Sequence, residues 1–239
     1  TALDGVVTNS FVGITDTTTW NFTTITPPPA GVTGLALWLD ASQISGLSDG
    51  ATLNTWSEMS GLGNHATRTT GAPTYETNEL NARPVVRFPV GNGASFSFPR
   101  MTNIRTVFWV LTQQNPNESK FLLGDTTDYH FHRGTVTPSK IWHSTFTSSR
   151  IKDGTTSLNG LAVNGTTTNL PVGWNLLSVT TTDVVNASTL SADRTNGRSW
   201  EGDIAEVLVY NRALSAVEIE QVGSYLTAKY GMTTAYAAP

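Results

Sequence analysis

Three stretches of the chain hold side chains able to do chemistry. The first is Asp128-Tyr129-His130-Phe131-His132-Arg133. Read as a strand, it sets Asp128, His130 and His132 on one face and Tyr129, Phe131 and Arg133 on the other, because successive strand side chains point to opposite sides. With the aromatic side toward the core, a carboxylate and two imidazoles line the solvent face. Such groups hydrogen-bond well to sugar hydroxyls, so this face is a candidate glycan site. Two other readings stay open. One is a polar outer face without a ligand. The other is an Asp-His-His metal site, for which spacing fixes no third strong ligand. The second stretch is Lys140-Ile141-Trp142-His143-Ser144-Thr145-Phe146. A flat ring exposed on a sheet stacks on the C–H face of a pyranose, which makes Trp142 a candidate platform; the alternative is a core tryptophan. As a strand over 140–146, this stretch turns Trp142 and His143 to opposite faces, so only one of them joins the site. The third stretch is Glu201-Gly202-Asp203-Ile204-Ala205-Glu206, rich in carboxylates. Gly46–Gly50 spells G-x-S-x-G, but a nucleophile elbow needs a strand before it and a helix after it. Its flanks here are a polar loop and then a strand, so it reads as a hairpin loop.

These groups must be held by strands. Turn signals separate short β segments at Thr52–Trp56, Pro84–Phe88, Ser95–Phe98, Thr106–Thr112, Lys120–Leu123, Tyr129–His132, Lys140–Phe146, Leu161–Val163, Trp174–Thr180 and Gly202–Tyr210, a spacing that means a sandwich or barrel. The run TVFWVLT at 106–112 is apolar on both faces and predicts a central, fully buried strand. Trp38, Trp56, Trp109, Trp174 and Trp200 sit in apolar patterns and read as core. After Tyr210 the period changes. Ile219, Val222, Leu226 and Tyr230 make one helical face. Ser215 and Glu218 form a capping box, Leu214 and Ile219 the hydrophobic staple, and Gly231 the left-handed C-cap. The expected fold is all-β, a two-sheet antiparallel jelly-roll sandwich with one C-terminal helix.

Composition narrows the partners. At 239 residues the chain can bury a sizeable core. Only 13% of residues are charged and the net charge is −4, with no basic run, which argues against nucleic acid. Cysteine is absent, excluding disulfides and a cysteine nucleophile. No apolar run reaches the length of a membrane span, so no membrane insertion is expected. No leader stands at Thr1, which predicts a start inside a longer protein with any leader upstream. Residues 1–26, rich in Thr and Val, read as the end of a preceding immunoglobulin-like repeat or an N-terminal arm. Residues 27–33, with Pro27, Pro28 and Pro29, read as a stiff linker. The main domain then covers 34–232 and a tail 233–239.

The segments LALWLDAS, NTWSEMSGLGNHAT, YHFHRG, WEGDIAEVLVYNRALS and YLTAKYG, from about Gly34 to Gly231, resemble laminin-G-like (concanavalin A-like lectin/glucanase) domains of bacterial secreted proteins. The motif set is specific for that fold and not for a ligand. KIWHSTF matches no part of it. The resemblance implies a non-catalytic, lectin-like carbohydrate-binding or adhesion module, extracellular or at the cell surface. It also implies a poly- or oligosaccharide partner and a monomer within a multidomain chain. The alternatives are an architectural spacer without ligand, and a retaining glycosidase. The glycosidase alternative arises because EGDIAE resembles the E-x-D-x-x-E strand of laminarinase-type enzymes, with Glu201 and Glu206 as nucleophile and acid/base. The match departs at Gly202, where a bulky aliphatic residue is usual, and too few strands follow to complete a cleft. Laminin-G-like domains often hold a structural calcium near a loop such as Ser60–Asn64. Asp40, Asn64 and Asp203 are the candidate ligands, since calcium takes carboxylate and loop oxygens. The alternative is an Asx-turn and a capped strand end.

Overall fold

A computed structural model describes residues 31–114, 120–134, 139–192 and 198–237. The expected N-terminal segment 1–26 and the prolines of the linker lie outside the described residues. Among the described residues, twelve strands run in chain order: β1 Leu35–Asp40, β2 Ala51–Thr52, β3 Thr55–Trp56, β4 Ala66–Thr70, β5 Thr74–Leu80, β6 Arg83–Phe88, β7 Ser95–Gln113, β8 Leu123–Gly124, β9 Thr155–Leu158, β10 Leu161–Val163, β11 Asn175–Leu190 and β12 Gly202–Tyr210. A short helix α1, Ser149–Lys152, precedes β9, and a long helix α2, Ala216–Tyr230, follows β12. The fold is an antiparallel β sandwich with one long C-terminal helix.

The main path of hydrogen-bonded neighbours is β10-β9-β11-β7-β12-β6-β5-β2, with β1 also on β12, β4 on β7 and β8 on β11. Strands β7 and β11 carry the architecture. Ser95–Ser97 of β7 pairs with β4 and with the end of β11, whereas Thr106–Gln113 pairs with β12 and with the start of β11. Register breaks interrupt the β7–β11 ladder between Thr180 and Thr189. Bulges bend a strand, and bent strands turn the corners of a sandwich. The expected break between Ser95–Phe98 and Thr106–Thr112 is therefore a bend within one strand.

The middle of β7 is buried on both faces, as its unbroken apolar run requires. Val107, Trp109 and Leu111 enter the main core between the layers. Phe108 and Val110 pack on the other side with Leu208, Tyr210, Val222 and Leu226, beneath α2. Both capping-box hydrogen bonds form at Ser215 and Glu218, and Gly231 closes the helix at φ 60°, where a side chain is strained. Leu214 is buried and Ile219 half-buried at the entry. Trp38, Trp56, Trp109 and Trp200 are core as expected; Trp174 is only partly buried, beside the helix layer.

In β12 a bulge at Ala205 shifts the phase, since Ile204 pairs with Leu111 and Glu206 with Val110. Ile204, Val207 and Val209 face the main core, and Ala205, Leu208 and Tyr210 face the helix. Glu206 therefore meets the helix side, where Trp38 donates to it.

Candidate functional site

The segments 128–132 and 140–146 are not strands, which corrects the alternation expected of them. The cause is local. Asp125 Oδ1 accepts from the Thr127 and Asp128 backbone N–H groups at 2.9 and 3.0 Å, an Asx-type turn that competes with a ladder. Beyond it, the His132 carbonyl accepts from His143 N at 2.9 Å and from the Thr147 hydroxyl, and the His130 carbonyl accepts from Ser148 N. Two turns are thus clamped together.

The predicted face divides accordingly. Asp128 leaves the group and accepts from Arg100 at 2.7 Å and from Asn186. His130 is half-buried, and burial lowers its pKa from the ordinary value, opposed in part by Asp128. His132 is 3% exposed and joins His143 at a ring-centroid distance of 5.0 Å. Around them lie Tyr129, 5.7 Å from His132, and Phe146, 5.4 Å from His132 and 4.5 Å from His143. Tyr129, His132, Phe146 and Arg198 line a recess of about 280 Å³, close to the lower end of small-molecule pockets. Phe146 is 59% exposed, unusual for so large an apolar ring.

Hydrogen bonds fix both imidazoles. His132 Nδ1 lies 2.8 Å from the Arg133 carbonyl, which can only accept, so Nδ1 carries the proton. Nε2 then accepts from Arg198 Nη1 at 3.3 Å. His143 Nδ1 accepts from Thr145 N and Phe146 N at 3.0 and 3.1 Å, which leaves the proton on Nε2. Burial, and then the Lys152 cation, lower the pKa of His143 from its ordinary value. The recess thus joins an exposed aromatic face to neutral imidazoles and a guanidinium, a set suited to a hydroxylated ring.

Trp142 is not a platform. It is 1% exposed in the core, packs against Trp109 and Phe131, and donates to Thr156 at 2.8 Å. Phe146 takes the exposed position, and His143 is the member of that pair that packs against His132 and Phe146, behind the recess. Tyr129, Phe146 and Arg198 were missed from the sequence because the assumed strand phase put Tyr129 with the core. The usable signal was the Ser144-Thr145 pair before Phe146, which favours a turn over a strand.

The proposed calcium ligands are not assembled. Asp40 is 1% exposed, caps Ser42 through Oδ1 and accepts from Lys229 at 2.6 Å through Oδ2. Asp203 makes a bidentate pair with Arg87 at 2.8 and 2.9 Å. Asn64 donates to the Ala36 carbonyl at 2.8 Å. With both carboxylates neutralised by cations, this trio does not fit a calcium ion. The Asp-His-His alternative fails too: no cluster of His, Cys, Asp and Glu suited to a metal occurs among the described residues.

Glu201 and Glu206 face different surroundings. Glu201 accepts from Lys120 at 3.1 Å and from Gly91 N at 2.9 Å. Glu206 is 1% exposed and accepts from Trp38 at 2.7 Å, Lys229 at 2.6 Å and Tyr230 at 2.8 Å. Burial pushes its pKa up to about 7, with Lys229 opposing and Asp40 reinforcing. Gly202 adopts φ 148°, and a Cβ there would run into the Thr112 carbonyl. Packing thus accounts for the departure from the glycosidase pattern.

No protein-family model matches the sequence, and none of the curated proteins does. Among solved structures, the chain is similar to domain 4 of AbnA, an extracellular GH43 arabinanase from Geobacillus stearothermophilus in complex with arabinotriose, at 13% identity and a TM-score of 0.44, over 74% of this chain and 100% of that one. No helix among the described residues is long and apolar enough to cross a membrane.

Proposed function

We propose that this domain is a non-catalytic glycan-binding module of a secreted protein, and that the recess of Tyr129, His132, Phe146 and Arg198, with His143 behind it, is its site. The observation that carries the reading is the exposed Phe146 ring set against fixed polar groups. An aromatic face covers the apolar side of a pyranose while donors and acceptors meet its hydroxyls. Support for a binding rather than a catalytic role comes from Glu201 and Glu206. Both are buried and cation-paired in separate surroundings, so these two carboxylates do not flank a cleft. A single shallow site exchanges sugar contacts for water contacts, so dissociation constants of order 0.1–1 mM are expected, with avidity arising from neighbouring modules in the parent protein. The test is titration of the chain with a panel of polysaccharides, repeated with Phe146→Ala and His143→Ala. Binding that weakens in both variants supports the site. Binding untouched by either moves the site elsewhere, and no binding at all favours a spacer domain.

A further inference from the structure

We propose that Lys229 and Asp40 join in an intramolecular amide bond, formed by the folded chain itself with Glu206 as proton relay. The three side chains come from α2, β1 and β12 and meet at one nitrogen. Lys229 Nζ lies 2.6 Å from Asp40 Oδ2 and 2.6 Å from Glu206 Oε2. Asp40 and Glu206 are partners across the β1–β12 ladder, so their side chains leave the sheet on the same side. Both carboxyls are fully buried and the lysine side chain is 11% exposed. The rings of Trp38, Tyr225 and Tyr230 surround the nitrogen, with centroids at 6.0, 5.6 and 5.2 Å. Two features distinguish this group from an ordinary ion pair. One amine faces two carboxyls, so one can be acylated onto nitrogen while the other moves protons. The two oxygens of Asp40 are also held differently. Oδ1 accepts from the Ser42 backbone N–H and hydroxyl at 2.9 and 2.7 Å, whereas Oδ2 meets the amine.

The reaction is a condensation that releases one water. Glu206 first carries a proton from the Lys229 ammonium to Asp40 Oδ2, leaving a neutral amine and a carboxylic acid. The amine lone pair attacks Asp40 Cγ and forms the C–N bond. Negative charge gathers on Oδ1, where the two Ser42 donors already stand as an oxyanion hole. Glu206 then carries a second proton from nitrogen to Oδ2. The C–Oδ2 bond breaks, Oδ2 leaves as water and the Oδ1 carbonyl re-forms. Glu206 ends as it began, held throughout by Trp38 and Tyr230. Its raised pKa, about 7, suits a group that must both take and give a proton near neutrality. Fixed contact between the reactants replaces a bimolecular encounter. Burying charges is costly, and the amide removes two of them. It also removes the cation that opposes burial at Glu206, so that carboxyl keeps its raised pKa in the bonded chain. The bond would tie β1 to α2 across 189 positions of a chain that has no cysteine. It uses no residue that lines the recess.

The test is the intact mass of the whole chain, kept folded at neutral pH and then denatured. It should fall short of the sequence mass by one water. Proteolysis and tandem mass spectrometry should then give a branched peptide that joins the Asp40 segment to the Lys229 segment. An aspartyl succinimide also loses one water but branches nothing, so the branch separates the two. Lys229→Arg keeps a cation for both carboxylates but offers no nucleophilic amine, and should show the full mass. Glu206→Gln, which cannot relay protons, should show it too. On a denaturing gel the parent, closed on itself, should run ahead of both variants. A parent chain at full sequence mass would overturn the proposal, and that result needs no variant to fold. Water lost without the branched peptide would overturn it as well, and so would a branch at Glu206 in place of Asp40. A bond that forms undiminished in Glu206→Gln would overturn the relay.

Discussion

Glu206→Gln should flatten the pH dependence of stability between about pH 5 and pH 8. Glu206 lies in a buried network in which one ammonium, Lys229, serves two carboxylates, Asp40 and Glu206. Burial, reinforced by Asp40, lifts the Glu206 carboxyl from its ordinary 4.5 to about 7. A carboxyl with a raised folded-state pKa binds more protons folded than unfolded in that interval. Its contribution is fully present below about pH 4.5 and is lost as pH rises through 7. A displacement of that size corresponds to roughly 3 kcal/mol. Glutamine cannot titrate. It also turns an N–H toward either Trp38 or Lys229, a donor–donor conflict costing about 1–3 kcal/mol at every pH. The informative quantity is therefore the gap between parent and variant, not either stability alone. Urea unfolding at pH 5, 6, 7 and 8 should show the parent well ahead at pH 5 and the gap closing by about 2–3 kcal/mol at pH 8. Histidines titrating in this window are common to both proteins and cancel. A gap constant within about half a kcal/mol would show that Glu206 does not titrate there. A gap that widens with pH would mean that Lys229 holds the carboxylate ionised throughout, and would refute the reasoning.

Leu226→Ala, at a fully buried position beneath the sheet, should cost about 2–4 kcal/mol in the same unfolding assay; a loss under about half a kcal/mol would put that helix face on solvent. Trp142→Ala should cost about 3–5 kcal/mol because its ring is core, whereas Phe146→Ala should leave stability within about half a kcal/mol and act on binding alone. Asp125 is pushed up by burial, but its bonds to Arg100 and Thr127 outweigh that and hold its pKa well below the ordinary value of 3.8. Its contribution is thus present above about pH 4 and lost on acidification. Asp125→Asn should therefore be less stable than the parent at pH 6, and the gap should begin to narrow as pH falls below about 4; a gap that stays constant between pH 6 and pH 2 would mean a packing effect rather than charge.

The helix was legible to the residue, because its signals are local: Ser215 and Glu218 start it and Gly231 ends it. β12 and the centre of β7 were legible from their apolar runs. β4 and β5 were not, since ATRTT exposes all but Ala66, TYETNEL buries only Tyr75 and Leu80, and neither carries an apolar alternation. The site was half legible. His132 and His143 were named and do meet. Asp128 and Trp142 were named and point elsewhere, because their assignment assumed a strand period. Side-chain hydrogen bonds from Asp125 and Thr147 had replaced that period with turns. The Asp125 turn is local and could have been read from the sequence, whereas the bond from Thr147 to the His132 carbonyl spans fifteen residues and no short window contains it.

Residues from three of the segments that resemble laminin-G-like domains form a lock rather than a site. Trp38 and Asp40 come from LALWLDAS, Glu206 from WEGDIAEVLVYNRALS, and Lys229 and Tyr230 from YLTAKYG, and all five meet in one buried network. The network ties β1, β12 and α2 together across nearly the whole domain, and breaking one partner of such a buried ion group costs several kcal/mol. These positions therefore report how the sandwich is closed and carry no information about a ligand. The recess draws Phe146 and His143 from KIWHSTF, the segment that matches no motif. Its turn is held by the His132 carbonyl and by His143 itself, so the exposed ring of Phe146 can change without disturbing the lock. The buried network thus closes the helix side of the sandwich without using any residue that lines the recess.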